Sequence, residues 1–336
     1  MKKIIDYIKL FFKENYKGLL ILLGIFVICN YRLNYSIYTP GGLIDLNDRI
    51  VSEDKLYDSN GSINLTYVSL VKGTIPTYLL AKVIPTWDIV KNDDITYDGD
   101  IDETIKIDKY YLEESISNAY MVAYNKAGVD YKITNSENYI TYVNESVKSN
   151  LKLFDKIIKY DNIDYTTFAA LQDYISSKNV GDKVIFQVIR DNKAVECYAE
   201  LIDINGIAKI GISAVNINEY DSHINVDIKS KSSESGSSGG FMTALAIYNS
   251  ITEKDITKGR KIAGTGTIDL YGNVGEIGGV KYKLSGAVKN KADLMLVPSS
   301  NYEEAYQYKK EQGFDIELVS ISDFDEAIDF LNNWEG

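Results

Sequence analysis

The chain has almost no histidine. His223 is the single one in 336 residues, and it stands beside Ile224–Ile228, a segment that reads as a strand. A lone histidine at a strand end reads as structural or solvated, so an imidazole base is not the expectation for any nucleophile here. Cysteine is nearly as scarce. Cys29 lies in an apolar run, and Cys197 alternates with Val195, Ala199 and Leu201 on one face of a strand, where it reads as core. The two show no metal-ligand spacing, and no disulfide between them is expected. Positive charge is also short: 36 Lys and Arg against 48 Asp and Glu leave a net charge of −12, which argues against nucleic acid as a partner. The acidic residues between Asp93 and Glu114 match no calcium loop and read as a solvated surface, so neither a metal nor a cofactor is expected. No Gly-x-x-x-x-Gly-Lys-Ser/Thr stretch occurs, and with it goes the cradle for a nucleoside triphosphate.

What is present fits a multidomain α+β protein: 45% hydrophobic and 25% charged residues over a length that suggests two or three domains. Residues 1–17 form a basic tail with side-chain charge +3, from five lysines against Asp6 and Glu14. An apolar run begins at Gly18. Its 14 residues to Tyr31 span about 21 Å as a helix, against a hydrocarbon core of about 30 Å. Lys17 and Arg32 are placed to snorkel, and Phe11, Phe12, Tyr31, Tyr35 and Tyr38 to sit at the interfaces. No small-x-small cleavage site follows, so residues 18–38 are expected to be an uncleaved transmembrane helix rather than a signal peptide. The lysines then put the N-terminus in the cytoplasm and the remainder outside the cell membrane, as a single-pass protein. Tyr38–Gly42 reads as the turn where the chain leaves the membrane. Residues 39–127 have no assigned fold beyond a strand starting at Ser62 and an amphipathic helix over 111–127. Residues 128–206 read as short strands with one helix, and residues 207–336 as a separate α+β unit.

The chemistry is sought in Gly236-Ser237-Ser238-Gly239-Gly240. Ser/Gly runs are usually linkers, but this one is short and leads directly into Phe241–Tyr248, a helix apolar nearly all round. Small residues at a helix start leave backbone N–H groups pointing forward, where they can hold an oxyanion beside an attacking serine. A lysine can serve as base if burial lowers its pKa from about 10.4 to about 7–8, a differential cost of roughly 4 kcal/mol. Gly278-Gly279-Val280-Lys281-Tyr282-Lys283 offers lysines in a segment suited to close packing. Alone, these lysines read as solvated residues on a helix start.

Together the two segments resemble the proteolytic domain of the Lon family. There the nucleophile sits in Gly-Pro-Ser-Ala-Gly before a buried helix and the base in Gly-Gly-Leu-Lys-Glu-Lys downstream. Ser238 and Lys281, 43 positions apart, take those places. Gly264–Leu270 is similar to the family's Thr-Gly-Glu-Ile strand, Gly272–Gly279 to its glycine-rich turn, and Leu294–Pro298 to a later core strand. The resemblance covers roughly 207–334. It implies a Ser238–Lys281 dyad, an oxyanion hole near Gly239, and Thr265 positioning the lysine. Ser237 and Gly239 replace the motif's proline and alanine, and Ser235 stands where an acid often precedes. Ser237 stays open as nucleophile, while alignment on Gly240 and Phe241 favours Ser238.

Residues 128–206 are similar to a PDZ domain, through Leu151–Ile158, the helix over 166–177, Gly181–Val184 and the hairpin about Asp191–Lys193. That implies capture of extended peptides along Tyr139, Ile140 and Thr141. Glu137-Asn138 replaces the glycine-containing loop that holds a terminal carboxylate, so a spacer or gate stands beside peptide capture. The order anchor, PDZ, Lon-like domain resembles the membrane-anchored Lon-like proteases of the YlbL type. It implies an ATP-independent serine peptidase acting on protein or peptide substrates that are unfolded or flexible, among them exported tails of small single-pass membrane proteins. Oligomerisation stays open. The alternative is a catalytically silent membrane adaptor that binds peptide tails, and a weaker third is an exported binding protein with no peptide ligand.

Overall fold

The computed structural model describes residues 2–94 and 101–335. Its described helices are α1 (Lys2–Asn30), α2 (Ile75–Ala81), α3 (Ile101–Ala127), α4 (Phe168–Ser176), α5 (Gly240–Ile251), α6 (Val280–Lys289), α7 (Ser299–Gln312) and α8 (Phe324–Asn333). The site is carried by a six-stranded sheet in the order Glu317–Ile321, Leu294–Pro298, Lys261–Gly264, Ser62–Thr74, Arg32–Asp45, Asp88–Lys91. The first four strands are parallel and the last two complete an antiparallel edge. Parallel strands are covered on both faces, so they read as unbroken apolar runs. Here period two divides those runs between two cores. Ile262, Leu294 and Leu296 face α5, α3 and α8, while Ala263, Met295 and Val297 face α6 and α7. α5 is buried along almost its whole length, as its continuous apolar sequence requires.

Half of this sheet comes from residues before the PDZ-like stretch. The region 39–127 therefore shares one sheet and one core with residues 207–335. Ser62–Thr74 lies directly beside Lys261–Gly264, with Ile63 opposite Ile262. α3 packs along α5. The PDZ-like unit is inserted between these halves. Its strands Ile163–Asp164, Lys156–Tyr160, Lys183–Arg190 and Lys193–Glu200 form an antiparallel sheet in that order. α4 closes its core of Ile157, Leu171, Ile175, Phe186, Val188 and Cys197. Asp191 and Asn192, at φ 50° and 61°, make the tight turn of the last hairpin. Thr167 caps α4 by accepting from the Ala170 N–H. Entry and exit form a ribbon, Tyr131–Val143 against Ile212–Ser222.

Four expectations change. No helix among the described residues is long and apolar enough to cross a membrane. The apolar stretch is short and opens on a charged first half of α1, and the helix stops at Asn30. Residues 32–38, assigned to the anchor, are instead strand in the six-stranded sheet. With the anchor go the transmembrane domain, the single-pass membrane location and the topology that put the catalytic unit outside the cell. Tyr38–Gly42 is not an exit turn but part of that strand, with an irregular register at Pro40–Leu43. His223 lies in a bend after Ile212–Ser222, not in a strand. The acidic stretch 93–114 is largely α3, and its Asp98 and Asp100 lie outside the described residues.

Candidate active site

The segment Gly236–Gly240, which carries the candidate nucleophile, forms a turn ahead of α5. Gly236, at φ +89°, allows the chain to reverse, and its N–H is held by the Asp108 carbonyl of α3 at 2.8 Å. The Ser237 carbonyl is held by Ser115 Oγ at 3.0 Å, also from α3, and by the Gly240 N–H. Gly240 is required by contact: a Cβ there would stand 2.4 Å from Ser115 Oγ and 2.9 Å from Ile268. α3, a helix outside the motif-bearing stretch, thus sets the position of the turn from behind.

The Ser238 carbonyl accepts from the Gly266 N–H at 2.9 Å and from Thr265 Oγ1 at 3.1 Å. Thr265 Oγ1 in turn accepts from Lys283 Nζ at 2.9 Å. Lys283 is only 3% exposed, and Thr265 is fully buried. Burial pulls the Lys283 ammonium down to about 8. No carboxylate is paired with it among the described residues. The N–H groups of Ser238 and Gly239 are taken by no neighbour among the described residues, which leaves two donors free at the helix start.

Lys281 lies elsewhere. It shares the first turn of α6 with Lys283 but is two positions away, about 200° round the helix. Its Nζ pairs with Asp88 Oδ2 at 2.5 Å on the sheet's edge strand, with both side chains about 40% exposed. Tyr282 OH also donates to that carboxylate, and the Tyr282 ring packs on Tyr38. The structure therefore brings Ser238, Gly239 and Thr265 together, and it is Lys283, not Lys281, that joins them. The signal that could have found it is the spacing within α6. Val280, Lys283, Leu284 and Ala287 recur on the buried face, whereas Lys281 falls outside it.

The expected peptide strand is also located. Ile140 exchanges backbone hydrogen bonds with Phe154 and Asp155 on one side. On the other, Tyr139, Ile140 and Tyr142 are in register with Val215, Ala214 and Ser213 of the chain's own exit strand. Asn138 adds a pair of side-chain bonds to the Ile157 N–H and carbonyl, both buried. Tyr139 OH is spent on Glu137, and Thr141 Oγ1 meets Tyr111 OH of α3. Both edges of this strand are occupied, so it offers no free ladder for strand addition.

Residues 199–332 match the family model of the Lon protease (S16) C-terminal proteolytic domain, and residues 127–201 match the PDZ domain. Lon protease of Mesomycoplasma hyopneumoniae is 28% identical over 134 residues, covering 37% of this chain and 15% of the relative. Lon protease 2 of Borreliella burgdorferi is 25% identical over 213 residues, covering 60% and 25% respectively. The PDZ domain of an SdrC-like protein from Listeria monocytogenes is 29% identical, covering 25% of this chain and 93% of that one, at a TM-score of 0.23. The chain spans no more than about a quarter of the length of these Lon relatives. It combines a Lon-type proteolytic domain, which supports a serine peptidase, with a PDZ domain.

Proposed function

We propose that the chain is a serine endopeptidase in which Ser238 is the nucleophile and Lys283 the general base, acting without ATP on unfolded or flexible protein segments. One observation carries this reading. Lys283 is an almost fully buried amine whose only polar contact among the described residues is Thr265, itself bonded to the Ser238 backbone. A buried lysine without a counter-ion is costly, and a lysine shifted this way by burial marks a functional-site candidate. With the amine neutral, Thr265 Oγ1 accepts one N–H and orients the nitrogen lone pair. Lys283 then takes the proton from Ser238 Oγ as it attacks the peptide carbonyl. The Ser238 and Gly239 N–H groups hold the oxyanion, Lys283 returns the proton to the leaving amine, and water releases the acyl group. The absence of a nucleoside-triphosphate motif from this chain supports substrates that are already unfolded. The adaptor reading has less support, because the strand it relies on is paired on both edges.

The test is to incubate the full chain with reduced casein as wild type, Ser238→Ala and Lys283→Ala, and to read products by mass spectrometry. Fragments should come from the wild type alone. Fragments produced equally by Ser238→Ala would remove Ser238 as nucleophile.

A further inference from the structure

A cavity of about 500 Å³ opens beside the nucleophile turn. Its walls come from three places that meet only in the folded chain: α3, the exit strand of the PDZ-like unit, and the 267–275 hairpin that follows Thr265. Ser237 and Ser115 form the end nearest the nucleophile. Ser237 is the residue before Ser238, so the cavity begins one residue from the proposed nucleophile.

The charge of the wall is one-sided. Glu114 and Asp269 line it, and no Lys, Arg or His does. Asp269 is held in place by the Asn273 side chain at 2.7 Å and the N–H groups of Tyr271 and Asn273. Glu114 is different. One oxygen accepts from the Asn216 N–H at 2.8 Å, and the other has no partner among the described residues. Burial pushes its carboxyl up to about 7, opposed only by that backbone bond. The remaining polar groups (Tyr111, Asn118, Asn218) are neutral and suit a long side chain ending in hydrogen-bond donors.

We propose that this cavity is the specificity pocket of the peptidase and selects a lysine or arginine side chain next to the scissile bond, with Glu114 as the pairing carboxylate. A cation entering the cavity meets a carboxylate oxygen without a competing donor among the described residues, so pairing does not first require breaking another protein hydrogen bond. An acidic side chain meets two carboxylates. An aliphatic one leaves Glu114 unpaired in a site it has just dried.

This inference rests on the peptidase reading, and the test separates the two. Internally quenched peptides that differ only at the residues flanking one bond (Lys, Arg, Leu or Glu) are given to the full chain and to Ser238→Ala, Glu114→Gln and Tyr271→Lys. Tyr271 is 89% exposed at the rim, so a lysine there adds a competing cation with little risk to folding. Wild type should favour Lys and Arg over Leu in kcat/KM by about ten-fold or more. That ratio should collapse toward one in Glu114→Gln and fall in Tyr271→Lys. Ser238-dependent cleavage with no basic preference, or with the preference intact in both pocket variants, would overturn the pocket assignment alone. Absence of turnover, or turnover equal in Ser238→Ala, would overturn the peptidase reading and the pocket with it.

Discussion

Lys281 and Lys283 differ by two positions and by almost everything else. One is half-exposed against a carboxylate, the other buried against a hydroxyl. Lys281→Ala should therefore leave turnover within about two-fold, since an exposed pair contributes roughly 0–1 kcal/mol. Lys283→Ala should abolish it. With the ammonium held at about 8, kcat/KM should rise with pH through that value as the amine becomes neutral. A flat profile between pH 6 and 9 would exclude a lysine base. The same shift fixes a stability effect. The folded value lies below the ordinary 10.5, so between about 8 and 10.5 the unfolded chain binds the extra proton and stability rises with pH. Below that window the folded chain carries the full cost of a buried charge, about 3 kcal/mol. Lys283→Met, of similar length and apolar, should raise the melting temperature at pH 7 while eliminating turnover. A lower melting temperature would mean that the Thr265 bond outweighs the desolvation. Sequence reading named this segment and Lys281 within it, while the lysine that meets Thr265 is Lys283. Both lysines fit a Gly-Gly-x-Lys-x-Lys pattern, and only the packing of α6 on the sheet decides which is dry.

At the scale of elements, the buried helix after Gly239 was legible because its apolar run is continuous, and the strand Leu294–Pro298 through the family resemblance. The PDZ-like hairpin strands were legible from alternation about Asp191–Lys193, and α4 as the one helix before them. What a strand pairs with was not, because two edges with the same pattern are interchangeable until the chain is folded. Tyr139–Val143 has the pattern of a peptide-binding strand, yet Ile212–Ser222 returns from the far end of the PDZ-like unit to occupy its edge. An incoming peptide would have to displace a strand whose Val215 is fully buried and whose Asn216 and Asn218 N–H groups are tied to Glu114 and Ser117 of α3. Peptides with a free apolar C-terminus should accordingly bind the full chain more weakly than about 1 mM by fluorescence anisotropy. Saturable micromolar binding would show that the ladder opens. The apolar run at Gly18–Tyr31 failed for a different reason. Composition alone suggested an anchor, but the run is too short, and the residues needed to lengthen it had a better partner in the sheet.

For the whole molecule, the decisive fact is that the proteolytic sheet is built from two stretches separated by the inserted unit. The matched stretch, 199–332, holds Ser238, Thr265 and Lys283 but only three of the six sheet strands. The strand Ser62–Thr74 and helix α3 supply Ile63, Ala119 and Ala123, all fully buried, to the core around α5. α3 also supplies the Ser115 and Asp108 bonds that hold the Gly236–Gly240 turn. Residues 59–61 tie the sheet end through Asp255 and Thr257. A fragment of residues 199–336 would expose the edge of Lys261–Gly264 and one flank of α5, and edges of that kind aggregate rather than fold alone. It should show no cooperative thermal transition by circular dichroism and no Ser238-dependent cleavage, whereas residues 31–336 should show a cooperative transition and retain cleavage. If the short fragment melted cooperatively and cut casein, the N-terminal strands would be an accessory, and the turn at Gly236–Gly240 would have to hold its geometry without α3. The opposite result would place the origin of the oxyanion geometry in a helix more than a hundred residues before the serine it serves.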